Sequence, residues 1–223
     1  MGGMIPLGDA SRRPGRWPII TELLIAVNVY AFMRELMYGE VFVYQWSVIP
    51  AKIVSGHEWI TILTAMFMHS GWLHILGNMI FFWAFGPEIE DAMGRFRFLI
   101  FYLLGGLIAM LAQVAAMPAS TVPNLGASGA IAAVMGAFLV TYPRDRIKTA
   151  LFFLIFVRIA FVPASLLIGF WFVMQLFSAG AVTQNVQGGR GSLPGAHRRV
   201  LVWGVYGHVV EALAVIGLPV DIQ

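Results

Sequence analysis

Long apolar stretches recur along this chain of 223 residues, and short polar segments separate them. Charged residues make up only 11% of the sequence and hydrophobic residues 59%, whereas a soluble domain carries about 25% charged residues. A chain this apolar has too few polar groups to cover its surface in water, so lipid is its natural solvent. The sequence therefore predicts an all-α membrane protein whose spanning helices each contain about 20 apolar residues.

Six apolar segments are the predicted membrane-spanning helices of a single bundle. They cover residues 17–37, 60–85, 98–117, 126–142, 163–177 and 200–218. Residues 1–16 form a predicted cytoplasmic tail, and residues 17–223 form the predicted membrane domain, whose pattern becomes atypical after residue 189.

The segments between the spans are predicted loops, among them residues 38–58 and 87–97. Residues 149–158 are apolar but end in Arg158. An arginine at the centre of a membrane costs several kcal/mol. We therefore expect this segment to lie at the membrane interface.

The lysines and arginines indicate the orientation, because they are enriched on the cytoplasmic side. With the amino terminus inside, the outer loops 38–58 and 118–125 contain only Lys52. The inner segments then hold Arg12, Arg13, Arg16, Arg95, Arg97, Arg144, Arg146, Lys148 and Arg158. The last outer loop breaks the pattern with Arg190, Arg198 and Arg199.

Composition also excludes several kinds of site. The chain has no cysteine, which excludes disulfides, thiolate nucleophiles and thiolate metal ligands. Its net charge is only +3 and its cations are scattered, so nucleic-acid binding is not expected.

A candidate nucleophile is Ser128, in the segment Gly126-Ala127-Ser128-Gly129 at the start of the fourth predicted span. A helix start presents free N–H groups and a positive dipole end, both suited to a developing oxyanion. A serine hydroxyl also needs an adjacent base to become nucleophilic. From these residues alone, a packing motif is the alternative, because small residues favour close helix contacts in lipid. Further small residues follow at Ala132, Ala133 and Gly136.

A second polar group, His69, His74 and Asn78, lies in the second predicted span. On a continuous helix His74 and Asn78 share one face, and His69 lies well round from them. Polar side chains inside a membrane are costly and usually functional, although hydrogen bonding between helices is an alternative. A metal site is not favoured, because the spacing is not one of zinc and the span contains no carboxylate.

Taken together, these motifs resemble the rhomboid family of intramembrane serine proteases, over residues 17–189. The segments that carry the resemblance are Met68 to Asn78, Phe85-Gly86-Pro87, Glu90 to Arg95, Gly126 to Gly136 and Phe170 to Phe177.

The resemblance implies a six-helix bundle with a serine–histidine dyad, in which Ser128 attacks and a histidine of the sixth span is the base. It implies that His74, Asn78 and the Ser128 N–H stabilise the oxyanion, that His69 is structural or lines a water-filled cavity, and that Gly126 and Gly129 are structural. The implied substrates are membrane-anchored proteins cut near the outer face of the bilayer. No cofactor is expected, and we expect a bacterial plasma membrane with a cytoplasmic amino terminus.

The sixth predicted span departs from the family, which carries Ala-His-x-x-Gly there. His208 is the candidate base, but Glu211 stands where the glycine belongs, and His197 falls in the preceding loop. The codons of residues 195–204, read one base later with third bases freely chosen, encode Ala-His-Ile-Gly-Gly-Phe-Leu-Phe-Gly. We therefore predict a single-base frameshift shortly after Gly189, in the gene or in the recorded sequence. It would also explain the basic last loop.

Two other functions remain open at this point. One is a catalytically impaired rhomboid-like protein that binds membrane clients without cutting them. The other is a small transporter, which is less favoured because the sequence has no inverted repeat and its polar groups can gather at one site.

Overall fold

The computed structural model describes residues 2–12, 14–153 and 156–187. Its helices are α1 (Ile19–Trp46), α2 (Pro50–Val54), α3 (Thr61–Thr64), a 3-10 helix (Ala65–Phe67), α4 (Trp72–Met93), α5 (Arg95–Ala116), α6 (Ser128–Thr141) and α7 (Ala164–Gln187). Its strands are β1 (Gly2–Asp9), β2 (Arg146–Phe153) and β3 (Phe156–Pro163). The predicted sixth span at 200–218, with His197 and His208, lies outside the described residues.

The centre of the fold is α6, which is buried on every side, as expected of a helix that is apolar all round. Its contact with α5 is close because small residues meet there. A Cβ built on Gly105 would lie 2.6 Å from the Cβ of Ala133, and one built on Gly129 would collide with Ala109. This confirms the predicted packing through small residues. The buried side chains of α6 are Ala130, Ile131, Ala132, Ala133, Val134, Met135, Ala137 and Phe138.

Within the described residues, α5 is the one helix long and apolar enough to cross a membrane by length and composition. The helix α6 and residues 164–175 of α7 are apolar but shorter. The helices α1 and α4 are long but carry charged side chains, among them Glu35 and Glu88. The predicted count of six spans therefore stays a prediction.

The predicted loop at 38–58 is wrong in its first part, because α1 continues to Trp46. Its helical path bends at Gly39, which has a φ of +62°, a conformation that glycine adopts at little cost. Beyond the bend, Phe42 stacks on Tyr38 and Trp46 at helical spacing, with ring centroids 6.1 and 6.2 Å apart. These aromatic pairs favour continued helix over a loop.

The predicted loop at 87–97 is also wrong, since α4 runs through Pro87 to Met93. Proline inside a helix removes one backbone hydrogen bond. The turn around it is held by packing, because Phe85 and Ile89 are fully buried. Gly94, with a φ of +79°, then separates α4 from α5.

Glu90 joins this extended part of α4 to the start of α1. Its carboxylate accepts hydrogen bonds from the Ile20 N–H (3.0 Å), the Thr21 N–H (2.8 Å) and the Thr21 hydroxyl (2.8 Å). The first N–H groups of a helix have no partner within the helix. A buried carboxylate from a neighbouring helix therefore caps α1 and fixes the two helices together.

The three strands form an antiparallel sheet in the order β1-β2-β3, so the prediction of an exclusively helical chain does not hold for these residues. In β2, Arg146 and Lys148 are exposed while Ile147 and Thr149 are fully buried. This period of two is typical of a strand with one covered face. The predicted amino-terminal tail supplies β1, which packs against α4.

Candidate active site

Ser128 is the first residue of α6, and the segment before it is fixed to the rest of the fold. The N–H of Gly126 donates to the carbonyl of Ala65 at 2.9 Å, and Asn124 exchanges two backbone hydrogen bonds with Val48. The first N–H groups of α6 are unused within the helix and carry the positive end of its dipole. The fold therefore presents the Ser128 hydroxyl at a helix amino terminus, as the sequence predicted.

Gly126 is the point where Ser128 and His74 come together. A Cβ built on Gly126 would lie 3.7 Å from Ser128 Oγ, 3.4 Å from His74 Nε2 and 3.2 Å from His74 Cε1. The φ of Gly126 is +134°, which side-chain-bearing residues rarely adopt. Glycine is required here by both conformation and space, and the absence of a side chain brings the hydroxyl and the imidazole to one site.

The orientation of the His74 ring is set by hydrogen bonds with Ser70, the residue before Gly71. Nδ1 of His74 accepts a hydrogen bond from the backbone N–H of Ser70 at 3.3 Å, and the Ser70 hydroxyl lies 3.0 Å from the same nitrogen. A neutral imidazole with an accepting Nδ1 carries its proton on Nε2. His74 therefore presents an N–H donor toward Gly126 and Ser128.

Asn78 lies one turn beyond His74 on the same face of α4. Its side chain is buried, and neither its oxygen nor its nitrogen has a hydrogen-bond partner within the described part of the chain. An unpaired buried amide costs about 1–3 kcal/mol. A buried amide without a partner has donor hydrogens free for a group outside the described residues.

His69 departs from its predicted position, because the second predicted span is not one continuous helix. The chain is extended at Met68, and α4 begins only at Trp72. The N–H of His69 donates to the carboxylate of Glu35 at 3.0 and 3.2 Å, not to a carbonyl of a preceding helical turn.

The break brings the two histidines together. The rings of His69 and His74 meet edge to face with centroids 5.1 Å apart, so the prediction that they lie well apart around a helix is wrong. Both ring nitrogens of His69 are buried and lack a partner among the described residues.

Two residues of this site, Glu35 and Ser70, were not predicted. Ser70-Gly71 before an apolar run is a typical signal for the start of a helix, and it marks the break before α4. No sequence signal connects Glu35 with His69, since 34 residues separate them.

The described residues contain no group of three or more histidine, aspartate or glutamate side chains placed to share a metal ion. The groups that meet at Gly126 are instead a hydroxyl and an imidazole N–H donor, with a buried amide one turn away. Such groups can perform nucleophilic attack and stabilise an oxyanion, provided a base accepts the serine proton.

Comparison with known proteins relates this arrangement to a family. The model of the Rhomboid domain matches residues 56–188, which is more than half of the chain. The chain is 32% identical over 126 residues to Rhomboid protease GluP of Bacillus subtilis, covering 55% of this chain and 24% of that protein.

Two further relatives show the same likeness. The protein YdcA of Bacillus subtilis is 29% identical over 124 residues, with coverages of 55% of this chain and 62% of the relative. Rhomboid protein 1, mitochondrial, of Saccharomyces cerevisiae is 28% identical over 134 residues, with coverages of 58% and 38%. The chain thus spans less than two thirds of each of these relatives. Residues 56–188, which match the family model, contain His74, Asn78 and Ser128. This chain belongs to the rhomboid family, whose members are helical integral membrane proteins.

Proposed function

We propose that this chain is an intramembrane serine endopeptidase that cleaves membrane-anchored proteins near the outer face of a membrane. The observation that carries the proposal is the meeting of Ser128 Oγ and the His74 imidazole around Gly126. The similar protein GluP is named a rhomboid protease, which supports the same class of reaction. The proposed architecture is a six-span bundle in a bacterial plasma membrane, with a cytoplasmic amino terminus.

In the proposed reaction, Ser128 Oγ attacks the carbonyl carbon of the scissile peptide bond. The serine proton passes to a histidine of the sixth span, which is His208 in this reading frame. The tetrahedral intermediate collapses as the same histidine protonates the leaving amine, and the C–N bond breaks. Water then hydrolyses the acyl-enzyme and frees Ser128.

Three donors would hold the oxyanion in this scheme: the Nε2–H of His74, the side-chain amide of Asn78 and the backbone N–H of Ser128. The hydrogen bond from Ser70 to His74 supports this assignment, because it leaves the proton on Nε2, the ring nitrogen close to Gly126. Donors fixed in advance are effective, since they need no rearrangement when the charge forms. His69 would be structural or would line a water-filled cavity.

The position of Ser128 along α6 supports cleavage near one face of the membrane. The helix has 14 residues, a length of about 21 Å at 1.5 Å per residue, and the sheet follows its other end. A substrate helix must become extended to react, because its own hydrogen bonds shield each peptide group. A site close to the membrane surface lowers the cost of exposing that backbone.

Cleavage of a reporter membrane helix by the reconstituted chain tests the proposal. Ser128→Ala is expected to abolish cleavage, a loss of up to about 10⁶-fold when a nucleophile is removed. Ser55→Ala, which removes an exposed serine hydroxyl elsewhere, is the matched control and is expected to retain the full rate. Cleavage that continues unchanged in Ser128→Ala would contradict the proposal.

A second function, client binding without cleavage, is favoured by Glu211 in place of the family's glycine. Two experiments distinguish proteolysis from client binding. Codons 185–205 are sequenced again, and cleavage is measured after one base has been restored. Cleavage that returns in the restored frame would make this chain a damaged copy of a protease. Client capture that survives Ser128→Ala, with no cleavage in a verified frame, would support the binding protein.

A further inference from the structure

The outer part of the β2–β3 hairpin exposes apolar side chains that no described residue covers. Three of them on the outward face of β3 are between 50% and 58% exposed: Val157, Ile159 and Phe161. Phe152 on β2 is also exposed. The opposite face of the sheet is packed on the bundle through Ile147, Val162 and Met4.

The register of the sheet places cations beside this apolar surface. Lys148 stands opposite Phe161, and Arg146 stands opposite Pro163. Partners opposite one another across a strand pair lie on the same face. The outward face therefore changes from apolar side chains at the turn, such as Val157, to cations near the helices.

Most cations of this region are not neutralised within the described structure. The described residues form two ion pairs, which join Arg12 to Asp145 and Lys52 to Glu58. The pair with Asp145 raises the pKa of the Arg12 guanidinium. The other nearby acid, Asp9, accepts hydrogen bonds from the Ser11 and Arg12 N–H groups, and burial raises its pKa. Four cations remain outside these pairs: Arg144, Arg146, Lys148 and Arg158.

The hairpin is also tied to helices at both ends. Arg146 follows α6 after four residues, and β3 leads directly into α7 at Ala164. Both helices are apolar, so the connecting hairpin starts and ends where two apolar helices end. In a membrane protein, such a point lies near the boundary between hydrocarbon and headgroups.

We propose that the outward face of the β2–β3 hairpin docks on a lipid monolayer that contains anionic headgroups. The exposed aromatic and aliphatic side chains enter the boundary of the acyl chains. Arg146 and Lys148 on this face meet the phosphates, as cations beside apolar residues do in interfacial segments. A second copy is a poorer occupant, because a two-fold contact would place the same cations against one another.

The absence of cysteine from the chain allows a single label to report on this face. Val157→Cys is labelled with a polarity-sensitive fluorophore, and the full chain is reconstituted into nanodiscs. The lipid is phosphatidylcholine alone or mixed with phosphatidylglycerol, and some lipids carry a nitroxide quencher. Val54→Cys, at the opposite end of the bundle and similarly exposed, is labelled in parallel.

Docking predicts blue-shifted emission and nitroxide quenching at residue 157, both stronger with phosphatidylglycerol. The label at residue 54 is expected to respond equally in the two lipids. Replacing Arg146 or Lys148 by glutamine is expected to lower the docked-to-undocked ratio roughly five-fold per cation. Lys52→Gln, at the other end of the bundle, is expected to leave this ratio unchanged.

Three results would overturn the proposal. One is emission at residue 157 typical of water, without quenching, in both lipids. Another is quenching that ignores phosphatidylglycerol and the glutamine substitutions, which would exclude headgroup recognition. The third is a signal that depends on the number of protein copies per disc, which would assign the face to self-association. None of these readouts depends on proteolysis.

Discussion

Two polar clusters on α4 differ in how completely their hydrogen bonds are made. At one end, the carboxylate of Glu90 accepts three hydrogen bonds from the start of α1. Nearer the other end, the amide of Asn78 is equally buried but has no partner among the described residues. A satisfied buried cluster stabilises a fold, whereas an unsatisfied one costs free energy in the resting protein.

This difference distinguishes two reasons for polarity inside an apolar bundle. The Glu90 cluster joins α4 to the start of α1, so we expect its polar groups to act on stability. The Asn78 cluster adjoins His74, whose ring lies close to Gly126, as Ser128 Oγ does. Substitutions in the two clusters should therefore separate activity from stability.

Among substitutions in these two clusters, the largest effect is expected from Asn78→Ala, measured in the reading frame that cleaves. Loss of one oxyanion donor lowers cleavage by about 10²–10³-fold. The melting temperature should change little. Removing an unpaired buried amide stabilises the fold, and this gain offsets the cost of the small cavity that is left. The matched control is Asn28→Ala, whose buried amide donates to the Leu24 carbonyl at 2.7 Å. That variant should lose stability and keep its cleavage rate, and the reverse pattern would contradict the comparison.

Glu90→Ala should have the opposite result. It leaves two helix-terminal N–H groups and the Thr21 hydroxyl without their acceptor, so the free energy of unfolding should fall by about 3 kcal/mol. Glu90→Gln keeps one acceptor oxygen, so its free energy of unfolding should fall by less than that of Glu90→Ala. Denaturation in detergent, with cleavage measured per folded molecule, checks both variants. A drop in cleavage at unchanged stability would assign Glu90 to the reaction instead.

The smallest effect is expected from Ser70→Ala. The backbone N–H of Ser70 still holds His74 Nδ1, and only the hydroxyl contact at 3.0 Å is lost. Cleavage should fall by roughly 3- to 10-fold, the equivalent of about 1 kcal/mol. Ser55→Ala removes a similar contact to His57 Nδ1 at 3.2 Å far from Ser128, and its rate should not change. Equal effects of the two substitutions would remove Ser70 from the site.

The neighbourhood of Ser128 could be predicted from the sequence because its requirements are local. A glycine before a serine at a helix start, and a histidine and an asparagine four residues apart, are patterns within short segments. The contact between Glu35 and His69 was not predictable, since it joins α1 to a backbone N–H in a segment 34 residues away. The break before Trp72 changed the position of His69 relative to His74.

The helices α5 and α6 could be predicted to within a few residues, because uninterrupted apolar sequence leaves few alternatives in lipid. The sheet could not be predicted. Gly3, Pro6 and Gly8 are poor strand residues, and β1 finds its partner only when residues 146–153 lie beside it. The role of His208 stays a prediction, as it lies outside the described residues.

The pairing of β1 with β2 has a consequence for the order of synthesis. Gly2 is made some 150 residues before its partner Phe153. The helices α1, α4, α5 and α6 are all made in that interval, so they can insert before the sheet closes. Gly3, Pro6 and Gly8 make β1 a poor strand by sequence. The same residues disfavour pairing of β1 with other strands before β2 is made. A bulky fusion at the amino terminus would therefore delay closure of the β1–β2 pair rather than the insertion of the helices made before it.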